Sequence, residues 1–231
     1  MLVALDVDMT LAPVNRPMSR QAADLLARVQ SSGATVALVS GKPCAYLAGF
    51  ARAYCRAEDT PLIGEHGADI WLGATMPSRR LPALVTPEDA ASLREARHAL
   101  EAEFAERLFF QPNHVNVTAF PHIDSGISPS QLRSFVETVE PRGTVLEYCD
   151  SIDIVPTGIN KGRALIALAE AIGADLEGSV AVGDSESDVA MFGVVAMSIC
   201  VGENEAARAA ATETVSSPEE GLARVLAAVQ A

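Results

Sequence analysis

Leu2-Val3-Ala4-Leu5-Asp6-Val7-Asp8-Met9-Thr10-Leu11 is a short apolar run that ends on acids. Leu2 to Leu5 has the pattern of a buried strand, and the run stops at Asp6. Asp8 follows two residues later and Thr10 two beyond that. Residues two apart on an extended chain point the same way, so the spacing predicts two carboxylates and a hydroxyl crowded where a strand leaves the core. Two like charges held that close resist joint ionisation unless a cation or a proton lies between them. The stretch therefore asks for a divalent metal, a shared proton, or both.

Outward from that strand, the chain alternates strand and helix. Ser19 can cap a helix carrying Ala22, Leu25, Leu26 and Val29, closed by Gly33. Thr35–Val39 is β-branched and apolar and ends at Ser40-Gly41-Lys42-Pro43. A helix is expected from Pro43 to Cys55, then short strands at Leu62–Gly64 and Ala68–Leu72 around Glu65-His66-Gly67. Buried strands alternating with helices predict an α/β fold, a Rossmann-like parallel sheet core. The rhythm breaks at the Pro-, Ser- and Arg-containing stretch 73–86. Thr86-Pro87-Glu88-Asp89 and Ser128-Pro129 are helix starts, and His114–Phe120, Thr144–Cys149 and Ser151–Val155 alternate as half-wet strands. Residues 77–156 are thus expected to form an inserted α+β cap domain, with 1–76 and 157–231 as the core. The first pattern resumes with a helix capped by Asn160, a strand ending at Gly183-Asp184, a strand at Ala196–Val201 and a last helix from Ser217-Pro218.

With 231 residues and 49% hydrophobic content, the chain can bury one core and a smaller satellite. The net charge of −13 argues against nucleic acid and against an anionic membrane surface, both of which need clustered Lys and Arg. A small anionic ligand is compatible with it. No apolar run approaches the ~20 residues that span a bilayer. The four cysteines form no CxxC pair, and the start of the chain shows no basic, cleavable leader. A cytoplasmic protein with reduced thiols is expected, as a monomer or a homodimer.

Asp6/Asp8/Thr10, Ser40, the Lys161 helix and Asp184/Asp188 all fall at strand or helix ends of the expected sheet. Open α/β sheets bind ligands at the carboxyl ends of their strands. Carboxylates with no His or Cys nearby suit Mg²⁺ better than zinc. Lys161 and Ser40 can hold the oxygens of an anion beside that metal.

These motifs resemble those of the haloacid dehalogenase-like phosphatases. Asp6-Val7-Asp8-Met9-Thr10, Ser40-Gly41, Asn160-Lys161-Gly162 and Gly183-Asp184-Ser185-Glu186-Ser187-Asp188 stand in that superfamily's order. The long insert resembles its second type of cap. The chain is similar to the small members typified by archaeal phosphoglycolate phosphatase and sucrose-phosphate phosphatase. The resemblance implies that Asp6 attacks phosphorus and that Asp8 acts as general acid, then base. It implies Mg²⁺ held by Asp6, the main-chain carbonyl of Asp8 and Asp184, with Asp188 in direct or indirect contact. Thr10, Ser40, Gly41 and Lys161 would surround the phosphoryl group of a small phosphorylated metabolite. Two positions depart from the pattern: Met9 stands where glycine is usual, and Ser187 where asparagine is frequent.

Three points stay open at this level. His114, Asn116 and Thr118 either face substrate or simply face solvent. His66, in its tight turn, favours a structural role. The cap's polar positions Asn116, Thr118, Ser151 and Asp153 are neutral or acidic and suit sugar hydroxyls, whereas phosphoglycolate wants a cation. A phosphomutase of the same superfamily and a phospho-accepting receiver-type domain are the competing functions. A receiver lacks both the Asp6–Asp8 spacing and the insert.

Overall fold

The computed structural model describes residues 1–230. It divides into two compact units, Met1–Pro82 with Asn160–Ala231, and Ala83–Ile159. In chain order the first unit opens with β1 (Leu2–Asp6), α1 (Arg20–Ser31), β2 (Thr35–Val39), α2 (Cys44–Tyr54), β3 (Leu62–Gly64) and β4 (Asp69–Trp71). The second unit holds α3 (Pro87–Phe104), β5 (Leu108–Phe110), β6 (Val117–Pro121), α4 (Pro129–Val139), β7 (Gly143–Glu147) and β8 (Ile152–Pro156). The first unit then resumes with α5 (Lys161–Ile172), β9 (Val180–Gly183), α6 (Val189–Phe192), β10 (Met197–Val201), α7 (Glu205–Ala210), β11 (Glu213–Val215) and α8 (Pro218–Gln230).

The core sheet runs β11-β10-β9-β1-β2-β3-β4. Every residue of β1 is buried, as a central parallel strand covered on both faces requires. Val3 and Leu5 of β1, Leu38 of β2, Val180 and Val182 of β9 and Ile199 of β10 form one apolar cluster. Leu26 and Val29 of α1, Leu47 of α2 and Val225 and Leu226 of α8 complete it. The expected parallel α/β core is therefore present, with one correction. β4 runs antiparallel to β3. Only four residues, 65–68, separate the two strands, and a parallel crossover needs a dozen or more. β11 escaped the sequence reading because it is three residues long and half polar.

The inserted unit has an antiparallel sheet in the order β5-β6-β8-β7. Leu93 and Leu100 of α3, Leu132 and Val136 of α4, and Val117, Ile152 and Ile154 of the sheet make its own core. Thr86 and Ser128 cap α3 and α4 as their sequence context predicts. The strand expected from His114 starts only at Val117. There Asn113 donates its side-chain amide to the Thr118 hydroxyl at 2.8 Å, which folds the approach into a loop. The expected wet face is also corrected at the two middle strands. Asn116, Thr118, Ser151 and Asp153 are all buried. β5 was missed because its three residues directly follow a long helix pattern.

Leu38 is fully buried between register partners Leu5 and Leu62. Leu38→Ala is expected to cost about 3 kcal/mol, read from the urea midpoint at constant slope. A loss under ~1 kcal/mol would show that this centre of the sheet relaxes around the deletion.

Candidate active site

Asp6 is the last residue of β1 and pairs in register with Val39, so Ser40 sits one residue beyond it on the neighbouring strand. On the other side β9 pairs with β1 and ends at Gly183, which delivers Asp184 to the same edge. Lys161 is the first residue of α5, behind an Asn160 cap that accepts from the Arg163 amide. Side chains at a helix start lean toward the amino end, and Lys161 reaches inward, only 2% exposed.

The Lys161 ammonium donates to Asp6 Oδ1 at 2.8 Å and to Asp188 Oδ1 at 2.6 Å. Asp188 Oδ2 accepts from the Asp184 amide at 3.0 Å, and from the Ser185 amide and hydroxyl at 2.9 Å each. Thr10 donates its hydroxyl to Asp184 Oδ1 at 2.9 Å. Asp6, Asp184 and Asp188 offer carboxylate oxygens within 4.8 Å of one another. The predicted residues Asp6, Thr10, Lys161, Asp184 and Asp188 are thus brought into one network.

Two expectations change. The Asp8 carboxylate is not in the group that crowds Asp6; those acids come from the end of β9. The chain stops being extended beyond Asp6: Met9 has φ +62° and its amide bonds Ala12 across a tight loop, so the simple two-residue alternation fails. Thr10, expected at the phosphoryl group, is 1% exposed and its hydroxyl is committed to Asp184. Ser40 is buried, and its hydroxyl accepts from the Lys42 amide at 3.1 Å. Gly41 lies under the His66 ring, within 2.5 Å of where a side-chain carbon would be. His114, exposed, and Asn116, buried, belong to the inserted unit. On α2, burial, and then the Asp8 carboxylate, push the Tyr46 phenol up.

The electrostatics follow from three carboxylates around one ammonium. Burial pushes the Asp6 carboxyl well above the ordinary range; Lys161 opposes this, and Asp188 and Asp184 reinforce it. Asp184 is raised by burial and then by Asp188. Burial also acts against the charge on Asp188, but Lys161 outweighs it and holds that carboxyl low. Burial pulls Lys161 down, yet Asp188 and Asp6 outweigh it and raise it. One anion–cation pair is satisfied and two carboxylates remain in excess. An all-oxygen donor set with surplus negative charge fits a hard divalent cation such as Mg²⁺.

A family model described as haloacid dehalogenase-like hydrolase matches residues 128–226. A phosphoglycolate phosphatase of Methanoculleus marisnigri is 27% identical over 221 residues, covering 94% of this chain and 89% of the relative. Over these stretches the chain is similar to the haloacid dehalogenase-like hydrolases. Its fold matches a haloacid dehalogenase-like hydrolase from Bacteroides thetaiotaomicron, with TM-score 0.76 and 19% identity over 97% of this chain and 98% of that one. A subclass IIB sugar phosphatase of the superfamily gives TM-score 0.70 and 16% identity, covering 98% and 96%. Among the described residues no helix is long and apolar enough to cross a membrane.

The charge excess has a pH consequence. Between the ordinary carboxylate range and the raised value of Asp6, the folded chain keeps a proton that the unfolded chain releases. The contribution of Asp6 to stability therefore falls as pH rises through that window. Asp188 has the opposite sign: its contribution is present above the ordinary range and is lost as pH falls through its depressed value. In EDTA, Asp6→Asn is expected to raise the melting temperature at neutral pH and to flatten its decline above pH ~4. Mg²⁺ is expected to raise the melting temperature of the parent protein more than that of Asp6→Asn. Lower stability of the variant together with an unchanged response to Mg²⁺ would contradict this electrostatic account.

Proposed function

We propose that this protein is a phosphatase that hydrolyses a small phosphorylated metabolite, phosphoglycolate or a sugar phosphate, using Mg²⁺ and an aspartyl-phosphate on Asp6. The observation that carries the reading is the buried Lys161 ammonium shared between Asp6 and Asp188, with Asp184 alongside. Asp6, Asp184 and the Asp8 main-chain carbonyl would hold Mg²⁺, which would neutralise charge on the phosphoryl oxygens. Asp188 has both oxygens engaged by protein donors. Its assigned role is to orient Lys161 and the 184–185 turn.

Lys161 occupies Oδ1 of Asp6, so Oδ2 is the oxygen left to attack phosphorus. A bond forms from that oxygen to phosphorus as the ester P–O bond breaks, and Asp8 gives its proton to the departing alkoxide. Asp8 then takes a proton from water as the water oxygen attacks the acyl phosphate, which frees inorganic phosphate and the Asp6 carboxylate. Ser40 and Lys161 stabilise charge on the transferring group. Thr10 acts at one remove, by fixing Asp184.

The inserted unit is assigned to substrate selection, with His114 and Asn116 as contacts. The name of the curated relative supports phosphoglycolate. The neutral or acidic buried groups Asn116, Thr118, Ser151 and Asp153 support a substrate rich in hydroxyls. Phosphate release measured over two-carbon acid, hexose and disaccharide phosphates decides between them. Asp6→Asn is expected to lower turnover about 10⁴-fold or more with the fold intact, and EDTA to abolish it reversibly. Substantial turnover by that variant would remove the covalent step, and an isomerised product with little free phosphate would identify a mutase.

A further inference from the structure

We infer that His66 is a positioning residue that holds Ser40 in place for phosphoryl transfer; this rests on the role of Ser40 in the proposed function. Glu65, His66 and Gly67 have φ of +54°, +57° and +108°, so three consecutive residues are left-handed and two of them are not glycine. A non-glycine residue in that region is strained, and such strain persists only where the surroundings over-determine it.

What surrounds this turn is the machinery itself. The His66 amide donates to the Ser40 carbonyl at 3.1 Å and the Glu65 amide to the Lys42 carbonyl at 3.0 Å. The Ser40 amide donates to the Ile63 carbonyl at 2.9 Å. Between those bonds the imidazole lies against Gly41: a side-chain carbon there would stand 2.5 Å from Nε2 and 2.7 Å from Cε1. On the far side, a carbon added to Gly67 would stand 2.5 Å from the Asn160 carbonyl oxygen and 2.9 Å from Ala164 Cβ. The turn is therefore wedged between the loop that presents Ser40 and the first turn of α5, which presents Lys161. Glu65 is fully buried and His66 is 7% exposed, so neither side chain has solvent to swing into. The ring sets how far the Ser40–Gly41 peptide can move, and the left-handed backbone aims the amide that grips it.

The test is a double-mutant cycle on the Mg²⁺-loaded enzyme with p-nitrophenyl phosphate. His66→Gly keeps the left-handed backbone and removes the ring. It is expected to lower kcat about 10–100-fold, since small misplacements at a reacting centre cost that much, while KM changes less than kcat. In a Ser40→Ala background the same substitution is expected to lower kcat less than about threefold, because the two act as one unit. A merely structural ring would give the same factor in both backgrounds. His66→Asn, which also tolerates the left-handed region, serves in the same cycle should the glycine variant fail to fold. The inference is overturned if kcat stays within about threefold of the parent, or if the loss is equal in the two backgrounds. Ser40→Ala at the parental rate would refute the role of Ser40 itself. A normal Ser40→Ala loss with an unaffected His66 variant would refute only His66.

Discussion

A single ammonium, that of Lys161, stands between Asp6 and Asp188 out of contact with water. Burying an ion costs several kcal/mol unless partners with good geometry replace its hydration. Here two carboxylates at hydrogen-bond distance do so. Asp188 gains most, because its second oxygen is also fully used by protein donors. Asp6 and Asp184 are left sharing a sheet edge with more negative charge than one lysine can balance. That surplus is unfavourable for the resting protein, and it gives the site a reason to take up a divalent cation.

The sheet makes this contact possible. Asp6 and Lys161 are 155 positions apart in the chain, and Thr10 and Asp184 are 174 apart. They meet because β9, β1 and β2 are adjacent and parallel, so their carboxyl ends emerge side by side. The strands can be central only because they are apolar throughout. A lysine at a helix start is mildly unfavourable with the helix dipole, and two buried carboxylates outweigh that term.

Strained backbone gathers around the same edge. Met9, Glu65 and His66 all hold left-handed φ without being glycine. Met9 stands where the family pattern has glycine. Its φ is +62°, a left-handed conformation that costs a non-glycine residue about 1–2 kcal/mol, and its side chain is 54% exposed. The Glu65–Gly67 turn differs, because its strain is locked by contacts on both sides.

Residue order alone determined the α/β class, the caps at Ser19, Thr86, Ser128 and Asn160, and the set of candidate acids and the lysine. Those are local matters: apolar runs, capping side chains and residue type are written in consecutive positions. Tertiary structure decided which acids are neighbours. Alternation along the first strand pointed to Asp8, but the chain turns at Met9, and the group around Asp6 is completed from β9. It also decided that Thr10 serves Asp184, that β4 reverses, and that the polar residues of the inserted sheet are buried. The reversal of β4 is the local exception, set by a four-residue connection too short for a parallel crossover; the others depend on partners far away in sequence, and distance in space is set only once the sheet has formed.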